Sequence, residues 1–227
     1  MLIVCKKGQG IIEYVLLLLL LAVITTSSLK LAGVNLSNVF MRISGAISGK
    51  SKVLLDDQFN DLSGWNSIFG PNSWKVVSGY LTNTSVGDER IMAYGSLPND
   101  YVINTTAQLV SGNGYGVMFR LTPMGSNYGG YSFQIDPGYG NKFVLRKYST
   151  NGTEISTPIA VTNPPAGFDF NAFHQVNVSV IGSTYTMYVD GVKVMTATDS
   201  TYTSGGTGLR TWSTSQVKVD NFSATVP

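Results

Sequence analysis

The sequence predicts a long N-terminal α-helix followed by an all-β sandwich, and three observations carry that expectation. No proline occurs before Pro71, and past Gly10 only Gly33 and Gly45 weaken a helix running to Ile47. Beyond residue 53 the apolar period changes to two, the spacing of half-buried strands. In that same region Gly, Ser, Thr, Asn and Tyr are abundant while Lys and Glu are scarce, which suits short strands and turns.

The helix reads as follows. "VLLLLLLAVI" (Val15 to Ile24) is continuously apolar, and past Thr25 the apolar residues thin to Leu29, Ala32, Leu36, Val39, Phe40, Ile43 and Ile47. Their spacing of three and four draws a stripe along one helical face. Such a helix is about 60 Å long, more than an adjoining domain covers, so the stripe calls for a partner. "SGAISGKSK" (Ser44 to Lys52) is small and polar and serves as a linker.

The strands come next. "YGVMFRL" (Tyr115 to Leu121), "GYSFQID" (Gly130 to Asp136), "KFVLRKY" (Lys142 to Tyr148), "HQVNVSVI" (His174 to Ile181), "TYTMYVD" (Thr184 to Asp190) and "VKVDNFSATV" (Val217 to Val226) alternate apolar with polar residues. Asp190-Gly191 between two such runs signals a tight hairpin. Many strands separated by Gly-rich turns predict a two-sheet sandwich.

Composition narrows the function classes. With a net charge of +2 and 12% charged residues, the 227-residue chain has no basic field for nucleic acid. Cys5 is the sole cysteine, so an intramolecular disulfide framework and a cysteine zinc cluster are excluded. Glu89 and Glu154 are the only glutamates after Glu13 and sit in apparent turns, and no strand carries Glu-x-Asp-x-Glu. A glycanase needs two carboxylates facing one cleft, so the expectation is a protein that is not an enzyme.

"KKGQGIIEYVLLLLLLAVI" (Lys6 to Ile24) places one acid, Glu13, at the front of an apolar run. A charge in a membrane-length helix costs roughly 2.5–3.5 kcal/mol and is usually kept for a partner. A secretory signal peptide accounts for the lysines and the apolar core but not for Glu13 or the stripe beyond it. A permanent anchor needs about 20 apolar residues, more than the clean run supplies. The motif resembles the processing site of type IV pilin-like precursors, the Flp (Tad) pilins and archaeal class III signal peptides. That resemblance implies a leader over 1–8 cut after Gly8, a mature start at Gln9, a pilin helix over 9–50 and a surface domain over 51–227. It implies assembly through Gln9, Glu13 and Tyr14, with Glu13 meeting the α-amine of a neighbouring subunit. The alternative for Glu13 is a plain interaction with the helix dipole.

"LLDDQFNDLSGWNSIFGPNSWKVVSGYL" (Leu54 to Leu81), "TYTMYVDGVKVMTATD" (Thr184 to Asp199) and "LRTWSTSQVKVDNFSATV" (Leu209 to Val226) resemble a concanavalin A-like or laminin-G-like jelly roll. The fold class expected is therefore a long helix followed by a jelly-roll sandwich. Tyr128, Tyr131, Tyr139 and Trp212 are candidates for stacking on sugars, against simple packing. Asp56, Asp57 and Asp220 are candidates for a structural Ca²⁺ between the first and last strands, against ordinary turn and edge roles.

Together these readings predict a structural subunit of an extracellular filament on the cell surface, a helical homo-oligomer. It would pass through the cytoplasmic membrane, with a prepilin peptidase and pilus assembly machinery as partners and surface glycans as candidate ligands. The alternative is a membrane-anchored monomeric lectin or adhesin.

Overall fold

The structure is a computed structural model that describes residues 52–84, 87–93, 96–125 and 127–227. Its strands in chain order begin with β1 (Val53–Asp57), β2 (Trp65–Phe69), β3 (Lys75–Val77), β4 (Tyr80–Thr82) and β5 (Glu89–Ala93). The long central strands are β6 (Tyr101–Ser111), β7 (Tyr115–Met124), β8 (Asn127–Asp136) and β9 (Lys142–Tyr148), followed by the short β10 (Ala160–Thr162). The chain closes with β11 (Phe173–Ile181), β12 (Thr184–Val189), β13 (Val192–Thr198), β14 (Gly206–Thr211) and β15 (Gln216–Thr225).

All pairings are antiparallel. The first sheet runs β13-β12-β11-β6-β15-β4-β3, with β1 also on β15, and the second runs β10-β9-β8-β7-β14-β5-β2. Alternation builds the core. Ile103 and Leu109 of β6, Val176, Val178 and Val180 of β11, and Val217 and Phe222 of β15 turn inward from the first sheet. They meet Tyr115, Val117 and Phe119 of β7, Phe133 and Ile135 of β8, and Phe143 and Leu145 of β9. Each such side chain contributes roughly 1.5–3 kcal/mol when fully buried. The hairpin forms as expected: Asp190 (φ 51°) and Gly191 (φ 78°) both take positive φ, the pair of angles a type I′ turn requires.

The structure corrects the mixed helix-plus-sandwich fold class. Residues Gly49–Pro227 form one compact unit, and the described residues are all-β with one 3-10 turn at Pro137–Tyr139. The two sheets close a core on each other, so the domain uses strands alone. Among the described residues no helix is long and apolar enough to cross a membrane. The helix expected over 9–50, with Gly8, Gln9, Glu13 and Tyr14, lies outside the described residues.

Three strand readings also need correction. "YGVMFRL", "GYSFQID" and "KFVLRKY" were expected to be half-buried, but β7 is buried on both faces from Tyr115 to Leu121, β8 from Gly129 to Asp136 and β9 along nearly its whole length. The outward residues of the second sheet are covered by something other than the first sheet. What covers them builds the site.

Candidate functional site

Strand register sets out the outer face of the second sheet in rows. Arg90 of β5, Arg210 of β14, Gly116 of β7 and Gln134 of β8 stand side by side, and the next row is Met92, Gly208, Met118, Ser132 and Arg146. In a flat sheet β5 and β9 lie roughly 19 Å apart. Yet the Arg90 guanidinium is 4.4 Å from the ring centre of Tyr148 on β9. The sheet therefore curls into a trough, and long side chains meet across it.

The segment after β9 folds back over the middle of this trough. A turn closes it through Ser149 and Thr153, and a bridge pairs Tyr148 with Glu154. Arg90 donates Nη1 to the Gly152 carbonyl at 2.7 Å, and Arg146 donates Nη1 to that of Ser156 at 2.7 Å. Charges on the sheet's outer face are thus removed from water, which is costly unless each is paired.

They are paired. Asp88 accepts from Arg210 Nε at 2.9 Å and from Arg90 Nη2 at 2.7 Å. Glu154 Oε2 accepts from Arg210 Nη1, from the Tyr148 hydroxyl at 3.0 Å and from Gln134 Nε2 at 3.2 Å. Its other oxygen forms an ion pair with Arg146 Nε at 3.2 Å. Burial alone would raise the Asp88 carboxyl, but hydrogen bonds and charge from Arg210 and Arg90 outweigh it and hold the group below its ordinary value.

At one end of the trough the network floors an open cavity of about 210 Å³. Gln134, Arg146, Glu154 and Arg210 face it from below, and Tyr139 and Trp212 flank it. Tyr139 is 44% exposed. Each ring is backed by a guanidinium, Arg146 at 4.8 Å from the Tyr139 centre and Arg210 at 4.8 Å from Trp212. Gly114 makes room for the indole, because a Cβ there would lie 2.7 Å from Trp212 Cζ2. Asp136 caps the 3-10 turn that carries Tyr139, accepting the Tyr139 N–H at 2.9 Å. Burial pushes its carboxyl up to about 6, against the opposing pull of that N–H and of Arg146.

A third ring reaches the same face through a β-bulge. Ser67 pairs with Ile91 and Phe69 with Arg90, which leaves Ile68 as the extra residue of β2. Phe69, otherwise an inward position, instead stacks on Arg90 at 4.5 Å. Beyond it the trough continues as a groove of about 720 Å³ over Ile68, Met92, Leu121 and Pro123.

The residues singled out from sequence fall in different places. Tyr139 and Trp212 flank the polar cavity, while Tyr128 lines the apolar groove at the other end of the trough. Tyr131 is fully buried between the sheets, packed on Phe119 and Tyr185 with its hydroxyl 2.6 Å from Asp199 Oδ1, so no sugar can stack on it. β1 pairs with β15 and sets Asp56 opposite Ser223 and Asp57 opposite Phe222. Asp57 accepts from Trp65 Nε1 and the Phe59 N–H, each at 2.7 Å, Asp56 accepts from Gln58, and Asp220 accepts from Asn221. No group of three or more His, Cys, Asp or Glu suited to a metal occurs among the described residues. Glu89, read as a turn residue, lies in β5. Glu154 was read only as a turn residue, and Asp88, Arg90, Gln134, Asp136, Arg146 and Arg210 were not singled out. Their one signal in the sequence is arginine in the middle of apolar strand runs, as in "VLRKY" and "GLRTW".

A family model described as a 3-keto-alpha-glucoside-1,2-lyase-like domain matches residues 50–224. The structure is similar to a carbohydrate-binding module, CBM66, from Bacillus subtilis, with 24% identity and a TM-score of 0.59, covering 70% of this chain and 94% of that one. It is similar to the β-glucanase of Bacillus licheniformis, with 16% identity and a TM-score of 0.58, covering 79% and 99%. A third similar structure is a GlcNAcα1-4Gal releasing endo-β-galactosidase from Clostridium perfringens, with 12% identity and a TM-score of 0.58, covering 78% and 63%. No curated protein matches the chain.

These findings overturn the filament reading. The family match takes in the whole sandwich and points to carbohydrate chemistry, whereas the pilin-like motif spans about residues 6 to 30. The pilin resemblance is withdrawn, and with it the homo-oligomeric filament, the prepilin peptidase and the assembly machinery as partners. The expectation of a protein that is not an enzyme is overturned as well, because the matching family is described by a lyase.

Proposed function

The chain belongs to the family of 3-keto-alpha-glucoside-1,2-lyase-like domains, and from that premise we propose that it recognises glycans, receiving the end of a carbohydrate chain in the polar cavity of the trough. One observation carries the reading: a floor of paired carboxylates and guanidiniums flanked by the rings of Tyr139 and Trp212. A sugar ring has hydroxyls around its edge and C–H bonds on its faces. The floor offers acceptors and donors to the edge, and the flanking rings offer apolar surface to a face. The segment from Ser149 to Ser156 lies over the middle of the trough, so a chain end fits where a continuous strand of sugars is obstructed.

The test is calorimetric titration of the full chain with a panel of mono- and oligosaccharides. Trp212→Ala should weaken binding at least tenfold, which corresponds to about 1.4 kcal/mol. Unchanged affinity in that variant, or no binding to any member of the panel, removes the reading.

A second reading is favoured by one observation, the Asp136 carboxyl pushed up to about 6 beside a cavity that also holds Glu154. A general base works best with a pKa near the working pH. In a 1,2-elimination the 3-keto group acidifies the sugar's C2–H. Asp136 would take that proton, the C2 electron pair would form the C1–C2 double bond, and the glycosidic oxygen would leave C1 with its bonding pair and take a proton from water. Incubation with a 3-keto-α-glucoside should release the aglycone, and Asp136→Asn should stop it. No release from wild type confines the protein to binding.

A further inference from the structure

The glycan reading leaves one feature of the cavity unexplained: it already contains an anion. Arg146 and Arg210 converge on a single carboxylate, that of Glu154, with both its oxygens engaged. Tyr148 and Gln134 hold the same group from below. Glu154 is nonetheless reachable, with its side chain 26% exposed and facing the cavity.

We propose that Glu154 is a specificity-determining residue that reserves the cavity for neutral sugars, by holding the pair of guanidiniums an acidic sugar would require. This rests on the glycan-binding reading and deepens it to a substrate class.

The argument is one of charge and shape. The carboxylate of a uronic acid has the charge, planarity and two-oxygen span of the Glu154 side chain, so the two compete for one seat. Around the trough three guanidiniums, Arg90, Arg146 and Arg210, stand against three carboxylates, Asp88, Asp136 and Glu154. Each of these three guanidiniums already has a carboxylate beside it. Arg90 and Arg210 are committed to Asp88, Arg90 also to the Gly152 carbonyl, and Arg146 donates to the Ser156 carbonyl while its Nε, which makes no hydrogen bond, stands in an ion pair with Glu154. An acidic sugar would bring a like charge beside Asp136 and Glu154 at a partly buried floor, where repulsion is screened less than in bulk water. A neutral sugar meets no such penalty, because a hydroxyl can donate to Glu154 while its oxygen accepts from a guanidinium N–H.

The experiment titrates the full chain, wild type and Glu154→Gln, with glucose-, galactose- and fructose-ended oligosaccharides and with glucuronate- and galacturonate-ended ones. Wild type should prefer its best neutral probe at least tenfold over every uronate. Glu154→Gln keeps the shape and removes the charge, so the preference should fall at least tenfold through a gain in uronate affinity. Glu154→Asp keeps the charge and should keep the preference. Wild type that binds uronates as well as neutral probes overturns the proposal, even should the Gln variant fail to fold. So does a Gln variant that folds and gains no uronate affinity. Trp212→Ala run in parallel separates the two claims. If it abolishes binding while Glu154→Gln leaves the preference intact, only the selectivity falls. If it leaves binding intact, or if no probe binds wild type, the glycan site falls and the selectivity with it.

Discussion

The two outer faces of the sandwich are built on the same alternation and end in opposite states. On the first sheet, β6 and β11 present Asn104, Thr106, Gln108, Gln175, Asn177 and Ser179 outward, uncharged and half-exposed. On the second, the outward positions hold Arg90, Arg146, Arg210, Gln134 and Asp136, and these are buried. A half-exposed amide or hydroxyl keeps much of its water and asks little of its neighbours. A buried guanidinium must find every partner within the protein. The contrast teaches that outward charges removed from water on one face of a sheet mark a place that was assembled, and here the assembly borders a cavity.

The contrast breaks most sharply at Arg210. Arg210→Ala takes from Asp88 and Glu154 the guanidinium they share, leaving Asp88 only Arg90 and Glu154 only Arg146 as cationic partners, and breaking a buried pair costs about 3–5 kcal/mol. Lys218→Ala on the outer face of β15 should change stability by less than about 0.5 kcal/mol. Urea unfolding of both variants checks this, and equal costs would mean the trough is no more tightly built than the opposite face.

Glycine substitution gives a smaller effect of the same kind. A methyl at Gly114 would meet the Ile135 carbonyl at 2.5 Å and Trp212 at 2.7 Å, so Gly114→Ala should cost about 1–3 kcal/mol in overpacking and shift the tryptophan emission. Gly182, in the β11–β12 turn of the first sheet, has nothing within 4 Å, and Gly182→Ala should cost only about 1–2 kcal/mol of left-handed backbone strain with the emission unchanged.

Acid titration sharpens the comparison within the trough. Asp136 titrates near 6 in the folded chain against an ordinary value of 3.8, so the native state binds the proton more tightly than the unfolded one. Its contribution is fully present below about 3.8 and is lost as pH rises through 6. Asp88, held low, contributes in the opposite sense: present above its unfolded value and lost as pH falls. The difference between wild type and Asp136→Asn in urea midpoint should therefore change between pH 4 and 6 and stay level above. The smallest effect belongs to the first sheet, where Thr186→Ala should move stability by less than about 0.5 kcal/mol and leave sugar binding unchanged in titration.

Much of the first sheet was legible because one of its faces stays near water. "HQVNVSVI" and "TYTMYVD" alternate in sequence and alternate in burial. The second sheet was less so. Once Gln134, Arg146 and Arg210 are buried on the outer face, period-two polarity no longer means exposure. The cavity was hardly legible at all. Its charges lie on Asp88, Arg90, Asp136, Arg146, Glu154 and Arg210, spread over more than a hundred residues and joined only by strand register and by the segment after β9. Trp212 and Tyr139 were visible as aromatics near turns, but the same reasoning chose Tyr131, whose inward parity on β8 sends it to the core. A local motif near the N-terminus outweighed the sandwich in the functional reading because a spacing pattern can be seen in a line of letters and a charge network cannot.

The bulge in β2 makes the rim of the trough depend on counting. Phe69 faces Arg90 because Ile68, ahead of it, is left out of the regular pairing. Were Ile68 to take the place opposite Arg90 in regular alternation, every letter would stay where it is and yet the aromatic would move opposite Glu89 and turn toward the interior. Among relatives of this domain, the presence of a ring on that bank of the trough is thus recorded in where the irregularity falls along the strand as much as in its composition, and its displacement by one residue would say more about ligand contact than a conservative substitution would.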